Sequence, residues 1–242
     1  MQVFINPYTD FGFKKLFGEE KNKHLLISFV NDLLGDKEQV VDLSFKNSEH
    51  LPDAGASRKA IFDVYCTNDR GEHFIVELQK AKQNYFKDRT IYYATFPIQQ
   101  QAKKGEWDFQ LKAVYCIGVL DFVFREDQAS PDVIHTVQLK DQYDHVFYEK
   151  LKFIYIEMPK FNKSLEQLES HCDRWLYFIK NLASLEVIPE LFKDDIICQG
   201  FETARIAALD HQERESYETS LKEYRDLYSV MKTAQQEGIE KG

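Results

Sequence analysis

Each apolar strand of one short stretch, "IFDVYCTNDRGEHFIVELQK" over residues 61–80, carries an acid in its middle: Asp63 in the first and Glu77 in the second. Strand interiors are depleted of Asp and Glu, so the pair asks for a chemical reason. The intervening turn predicts how they relate. A three-residue loop Asp69-Arg70-Gly71, with Gly71 left-handed, sets Asn68 opposite Glu72. Counting outward, Asp63 faces Glu77 on one side of the hairpin, with Cβ atoms ~4.5–5.5 Å apart. Gln79 shares that side two residues on, because strand side chains alternate. A two-residue loop would shift the register by one and separate the acids; glycine at the third loop position favours the longer form.

Two facing carboxylates repel, and burial raises the penalty. A proton, a basic side chain or a metal ion must offset it. A hard divalent cation such as Mg²⁺ takes carboxylate oxygens and keeps several waters; held this way it activates a water and clamps a phosphoryl oxygen. A structural salt bridge to Lys59, Lys80 or Arg89, or a carboxylate that simply reaches solvent, explains the hairpin equally well.

The surrounding pattern supplies elements to position the pair. "DFGFKKLFGEEKNKHLLISFVNDLLG" carries apolar residues at helical spacing, with Thr9 or Asp10 as its cap and Gly35 as its stop. "VVDLSFKN" (40–47) reads as a strand, and the hairpin adds two more. Residues 85–105 predict a helix that Pro97 kinks or breaks. Residues 111–124 and 151–159 read as buried strands, while 126–150 is polar without being low in complexity. From Ser164 the pattern is helical. Tyr217, Leu221, Tyr224, Tyr228 and Met231 are spaced four, three, four and three, barely two heptads. A helix lying on its own domain is expected there, with a homo-oligomerisation arm as the weaker alternative. The end "AQQEGIEKG" has no strong stop signal, as in a trimmed chain. The fold class is therefore mixed α/β, organised as a core over 1–160 and a helical extension over 161–242 that can belong to the same domain.

Composition sets bounds. At 242 residues, 43% hydrophobic and 29% charged, with 19 Phe and 13 Tyr, the chain can bury a substantial core. No run approaches the ~18 apolar residues of a membrane span, and the N-terminus lacks a leader pattern. Four scattered cysteines without C-x-x-C predict reduced packing thiols in a cytoplasm. A net charge of −9 argues against coating nucleic acid non-specifically. Yet from Gln79 to Lys104 six cations (Lys80, Lys82, Lys87, Arg89, Lys103, Lys104) meet one acid, Asp88; a solvated helix face is the plain reading.

The order helix, three strands, helix, strand, with one acid on the second strand and another on the third, resembles the PD-(D/E)xK nuclease core, the restriction-endonuclease-like fold. Phe62-Asp63 fills the degenerate Pro-Asp position and Glu77-Leu78-Gln79 the acid-x-Lys position. More narrowly, "TDFGFKKLFG", the hairpin, "DRTIYYATFPIQQQAKKGEWDF" and "IEMPKF" look like the recombination-promoting nuclease/putative transposase family. The resemblance runs from about Asn6 to about Phe161 and more weakly beyond. It implies a Mg²⁺-dependent DNA endonuclease, with Mn²⁺ as a substitute and Asp63 and Glu77 as metal ligands. Asp10 matches an acid of the family's first helix, a further candidate ligand whose default role is the N-cap. Gln79 stands where the wider superfamily has Lys: it can orient the attacking water but brings no positive charge. Lys87 or Arg89 could supply that charge; if neither does, the chain is a catalytically degenerate module that binds DNA or protein. Lys80, Lys82, Lys87 and Arg89 directly follow the metal strand and are placed to hold a DNA backbone. Tyr92 and Tyr93 match an aromatic pair of the family, with core packing as their default role.

Other signals fall away. Pro52-Asp53 spells the motif but precedes the loop-like "AGAS". His171-Cys172 lacks further ligands at zinc spacing. Neither a phosphate-binding glycine loop nor a G-x-S-x-G turn occurs.

Overall fold

The computed structural model describes residues 2–35, 39–46, 49–50, 60–102, 105–124, 126 and 129–241. Lys59, Lys103, Lys104 and Pro52-Asp53 lie outside them.

The N-terminal helical pattern folds as two helices, α1 (Asp10–Phe17) and α2 (Lys23–Leu34), broken at Gly18. Thr9, not Asp10, is the cap of α1: its side chain accepts the Gly12 N–H at 2.9 Å, and Asp10 is the first helical residue. Then follow β1 (Leu43–Phe45), the short pair β2 (Glu49–His50) and β3 (Ala60–Ile61), β4 (Val64–Asn68), β5 (His73–Gln79), α3 (Phe86–Gln100) and β6 (Val114–Leu120). With the separate β2–β3 pair set aside, this is the expected helix–three strands–helix–strand order, and the fold is restriction-endonuclease-like. Pro97 sits inside α3 without ending it.

Among the described residues one six-stranded mixed sheet runs β1-β4-β5-β6-β8-β7. β5, β6 and β8 are parallel, and α3 makes the crossover between β5 and β6. The antiparallel edge was not read from sequence. The polar 126–150 stretch contributes β7 (Ile134–Lys140), and β8 (Val146–Glu157) begins five residues before the expected strand. Both are exposed over the part of the hairpin that runs past the sheet, so the apolar signal of a buried strand is missing there.

The two sheet faces bury different partners. Phe74, Val76, Ile117 and Ile154 pack under α1, α2, α4 (His171–Asn181) and α5 (Ile196–Thr203), around the fully buried Trp175. Phe62, Tyr65, Ile75 and Tyr155 meet α3 on the other face. Alternation along each strand produces this split. The C-terminal helix α6 (His211–Lys241) starts on this body, with Tyr217 buried and Ser220 bonded to the Phe11 N–H at 3.1 Å. Farther along, Leu227, Tyr228, Val230 and Met231 are exposed. No helix among the described residues is long and apolar enough to cross a membrane. Cys66, Cys116, Cys172 and Cys198 are free thiols. His171 bridges Asp32 at 2.5 Å and Asp195 at 2.9 Å, a structural tie between α2 and α4.

The hairpin forms with the expected loop. Gly71 has φ +76°, and the Asn68 N–H donates to the Glu72 carbonyl at 3.0 Å. A Cβ at Gly71 would meet only Lys112, at an ordinary 3.7 Å, so its cost is backbone conformation and not a clash. Gly71→Ala is expected to lower the unfolding free energy by about 1–2 kcal/mol, read as a lower urea midpoint at unchanged slope.

Candidate active site

The β4–β5 ladder pairs Val64 with Val76, which sets Asp63 against Glu77 one step on. At that step the ladder changes character. The Asp63 N–H donates to Glu77 Oε1 at 3.1 Å, and the Leu78 N–H donates to Asp63 Oδ2 at 2.7 Å. The two carboxylates thus take the place of main-chain acceptors, and each keeps its other oxygen unbonded among the described residues.

This placement is electrostatically costly. Glu77 is 8% exposed, and burial, followed by the charge of Asp63, pushes its carboxyl up to about 8. Asp63 is also raised, by burial first and then by Asp10, against the opposing Leu78 hydrogen bond. Neither acid forms a salt bridge among the described residues; Lys14, Lys80 and Arg89 act on them only through the field.

Space around Glu77 comes from Gly118, its neighbour on β6. A Cβ there would approach Tyr155 at 3.2 Å and Leu120 at 3.3 Å. A void of about 10 Å³ remains between Glu77, Gly118, Thr90 and Tyr93. Asp63 opens the other way, into a cleft of about 770 Å³ walled by α1 and α6. Asp10 and Lys14 line it one helical turn apart, bridged at 2.9 Å, with Lys15 and Glu19 nearby. From α6 come Glu215, Ser216, Thr219, Ser220 and Glu223, a stripe at helical spacing. Lys15 pairs with Glu213 and closes this wall.

Gln79, on the same side of β5 as Glu77, is buried at the strand end. Its Nε2 donates to the Ala81 carbonyl at 2.8 Å, and its Oε1 accepts from Arg89 Nη2. The four cations beyond it divide. Lys82 is exposed and Lys80 half-buried, whereas Lys87 pairs with Glu126 over the Phe124 ring and Arg89 turns inward to Gln79 and Gln83. Tyr93 packs on Phe62 at 5.1 Å, while Tyr92 is 38% exposed.

The donor set suits a hard cation with two protein ligands: one buried and one half-buried carboxylate, one free oxygen on each, and water for the remaining positions. It is not a preformed cage. Among the described residues no group of three or more His, Cys, Asp or Glu can hold a metal, so Asp10 does not complete one with the pair. Asp10 lines the same cleft as Asp63 and is bridged to Lys14 at 2.9 Å.

Sequence reading missed one residue of this cleft and one acid that borders Gln79. Lys14 lies in the quoted "TDFGFKKLFG", and its four-residue spacing from Asp10 was the available signal. Asp121 follows β6; its N–H donates to the Gln79 carbonyl at 2.9 Å, and burial lifts its carboxyl to about 6. Nothing in its local sequence marks it.

The sign of the Glu77 shift gives a prediction for the metal-free protein. Its folded value is raised to about 8, so the stabilisation from holding that proton is complete below the unfolded carboxylate value and lost as pH rises to about 8. Glu77→Gln keeps the acceptor for Asp63 N–H without the charge. It is expected to exceed the parent in stability by about 2–4 kcal/mol above pH 8 and to match it below pH ~5, measured by urea unfolding in EDTA.

A family model described as PD-(D/E)XK nuclease family transposase matches residues 7–234. No curated protein and no solved structure matches the chain. The matched span takes in α1, the acid hairpin, α3 and most of α6, and the protein belongs to the PD-(D/E)XK nuclease family transposases.

Proposed function

We propose that the protein is a divalent-metal-dependent endonuclease that hydrolyses phosphodiester bonds in DNA at the Asp63–Glu77 pair. The observation that carries this reading is a buried Glu77 carboxylate beside the half-buried Asp63 carboxylate, without a basic partner among the described residues, each with one oxygen free. Membership of a nuclease family supplies the substrate class.

Asp63 and Glu77 would hold Mg²⁺, or Mn²⁺ in its place, through the oxygens that the backbone leaves free. When bound, the ion supplies Lewis acidity and lowers the pKa of water at the site. Gln79 orients the attacking water through its amide. Lys14, across the cleft from Asp63, offers a cation to a substrate phosphate, and Lys80 and Lys82 hold the backbone without sequence choice. Lys87, already paired with Glu126, contributes less. A cytoplasmic setting belongs to the same reading, on four cysteines scattered through the sequence without a C-x-x-C.

A second reading, a degenerate module that binds DNA or protein without cutting, is favoured by one feature. Asp10, Glu19, Asp63, Glu215 and Glu223 outnumber Lys14 and Lys15 around the cleft, which repels a phosphate chain unless a cation intervenes.

Nicking of supercoiled plasmid with Mg²⁺ or Mn²⁺ separates the two. Asp63→Asn and Glu77→Gln, which retain the hydrogen-bond acceptors, are expected to lose on the order of 100-fold or more. Cleavage that persists in both would place the chemistry elsewhere. Mn²⁺ alone, at about 100 times its Kd, is expected to stabilise the parent by ~2.7 kcal/mol, seen as a higher melting temperature. The effect should vanish in Asp63→Asn; an equal shift in that variant would move the metal to another site.

A further inference from the structure

Arg89 is a half-buried cation with no carboxylate partner among the described residues. It sits on the first turn of α3 with its guanidinium 5.1 Å from the Phe86 ring and 5.6 Å from the Tyr93 ring. Nη2 donates to Gln79 and Nη1 to Gln83, both neutral amides. Its Nε is buried and has no acceptor among the described residues. A cation kept for stability alone normally pairs with an acid and satisfies its donors. Arg89 does neither, yet two aromatic rings fix it beside the amide that shares a strand face with Glu77.

We propose that Arg89 is the positioning residue of the site, acting through Gln79, so that the two together perform what one strand lysine would do. This rests on the endonuclease reading. The bond from Nη2 fixes the amide with its carbonyl on the guanidinium. It is charge-assisted and therefore stronger than a neutral one, and it draws electron density from the carbonyl, which strengthens the N–H donors of the same amide. One of those donors goes to Ala81. The second N–H is the polarised donor that holds the attacking water by its oxygen and stabilises the negative charge that develops there as the water loses its proton. Positive charge thus reaches the site by relay from α3, and Arg89 itself need not touch the substrate.

A cycle between positions 79 and 89 tests this. Arg89→Met keeps an unbranched apolar stem between the rings and removes the charge. The first readout needs no turnover: the two side-chain N–H resonances of Gln79 in ¹⁵N–¹H spectra. In the parent they are expected to be distinct from those of free glutamine and slow to exchange with water; in Arg89→Met they should move to free values and exchange fast. The second is plasmid nicking with Mn²⁺, expected to fall about tenfold or more in Arg89→Met. In the Gln79→Lys background, where the strand brings its own charge, the same change should cost little.

Unmoved Gln79 resonances, or an equal loss in both backgrounds, would overturn the proposal, because the two residues would then act independently. If the parent cuts no DNA, the endonuclease reading fails, and the resonances still decide whether Arg89 fixes the amide. Should Arg89→Met not fold, Arg89→Lys, which cannot fork onto both glutamines, is read in the same way.

Discussion

The repulsion between Asp63 and Glu77 is the constraint to which the rest of the site answers. The β4–β5 ladder brings the two charges together, and the sheet and α3 remove most of their water. The penalty is not relieved by moving apart, because each acid accepts a backbone N–H from the other's neighbourhood. A raised Glu77 carboxyl is the visible result. A carboxyl raised in this way lowers the stability of the fold once it ionises.

Neighbouring elements divide the work around that pair. Gly118 leaves room on the α3 side, where any side chain would press on Tyr155 and Leu120. α1 and α6 shape the approach from the opposite side, and the clamp between them is specific: Ser220 takes the Phe11 N–H, Tyr217 takes the Asn6 N–H at 2.9 Å, and Lys15 pairs with Glu213. The C-terminal helix is accordingly a wall of the cleft as well as an extension of the chain.

Much of this was legible in the sequence, and the reasons are local. Gly71 at the third loop position fixed the register, and the register fixed which acids face each other. The helix–strand order followed from hydrophobic spacing in segments buried on both sides. What was not legible depended on tertiary partners. The β7–β8 hairpin carries its outer residues in solvent, so neither the period nor the composition of a buried strand appears there. The inward turn of Arg89 could not be told from an exposed lysine-like role, because one-dimensional charge does not say which way a helix faces. Asp121 comes beside Gln79 only through the strand order, and the acidic lining from α6 lies more than 130 residues from Glu77 in the chain.

The void beside Glu77, at about 10 Å³, is no larger than the minimum that admits one water molecule, ~10–15 Å³. That side of Glu77 therefore holds one water at most, and the open space at the hairpin lies on the Asp63 side, in the cleft between α1 and α6.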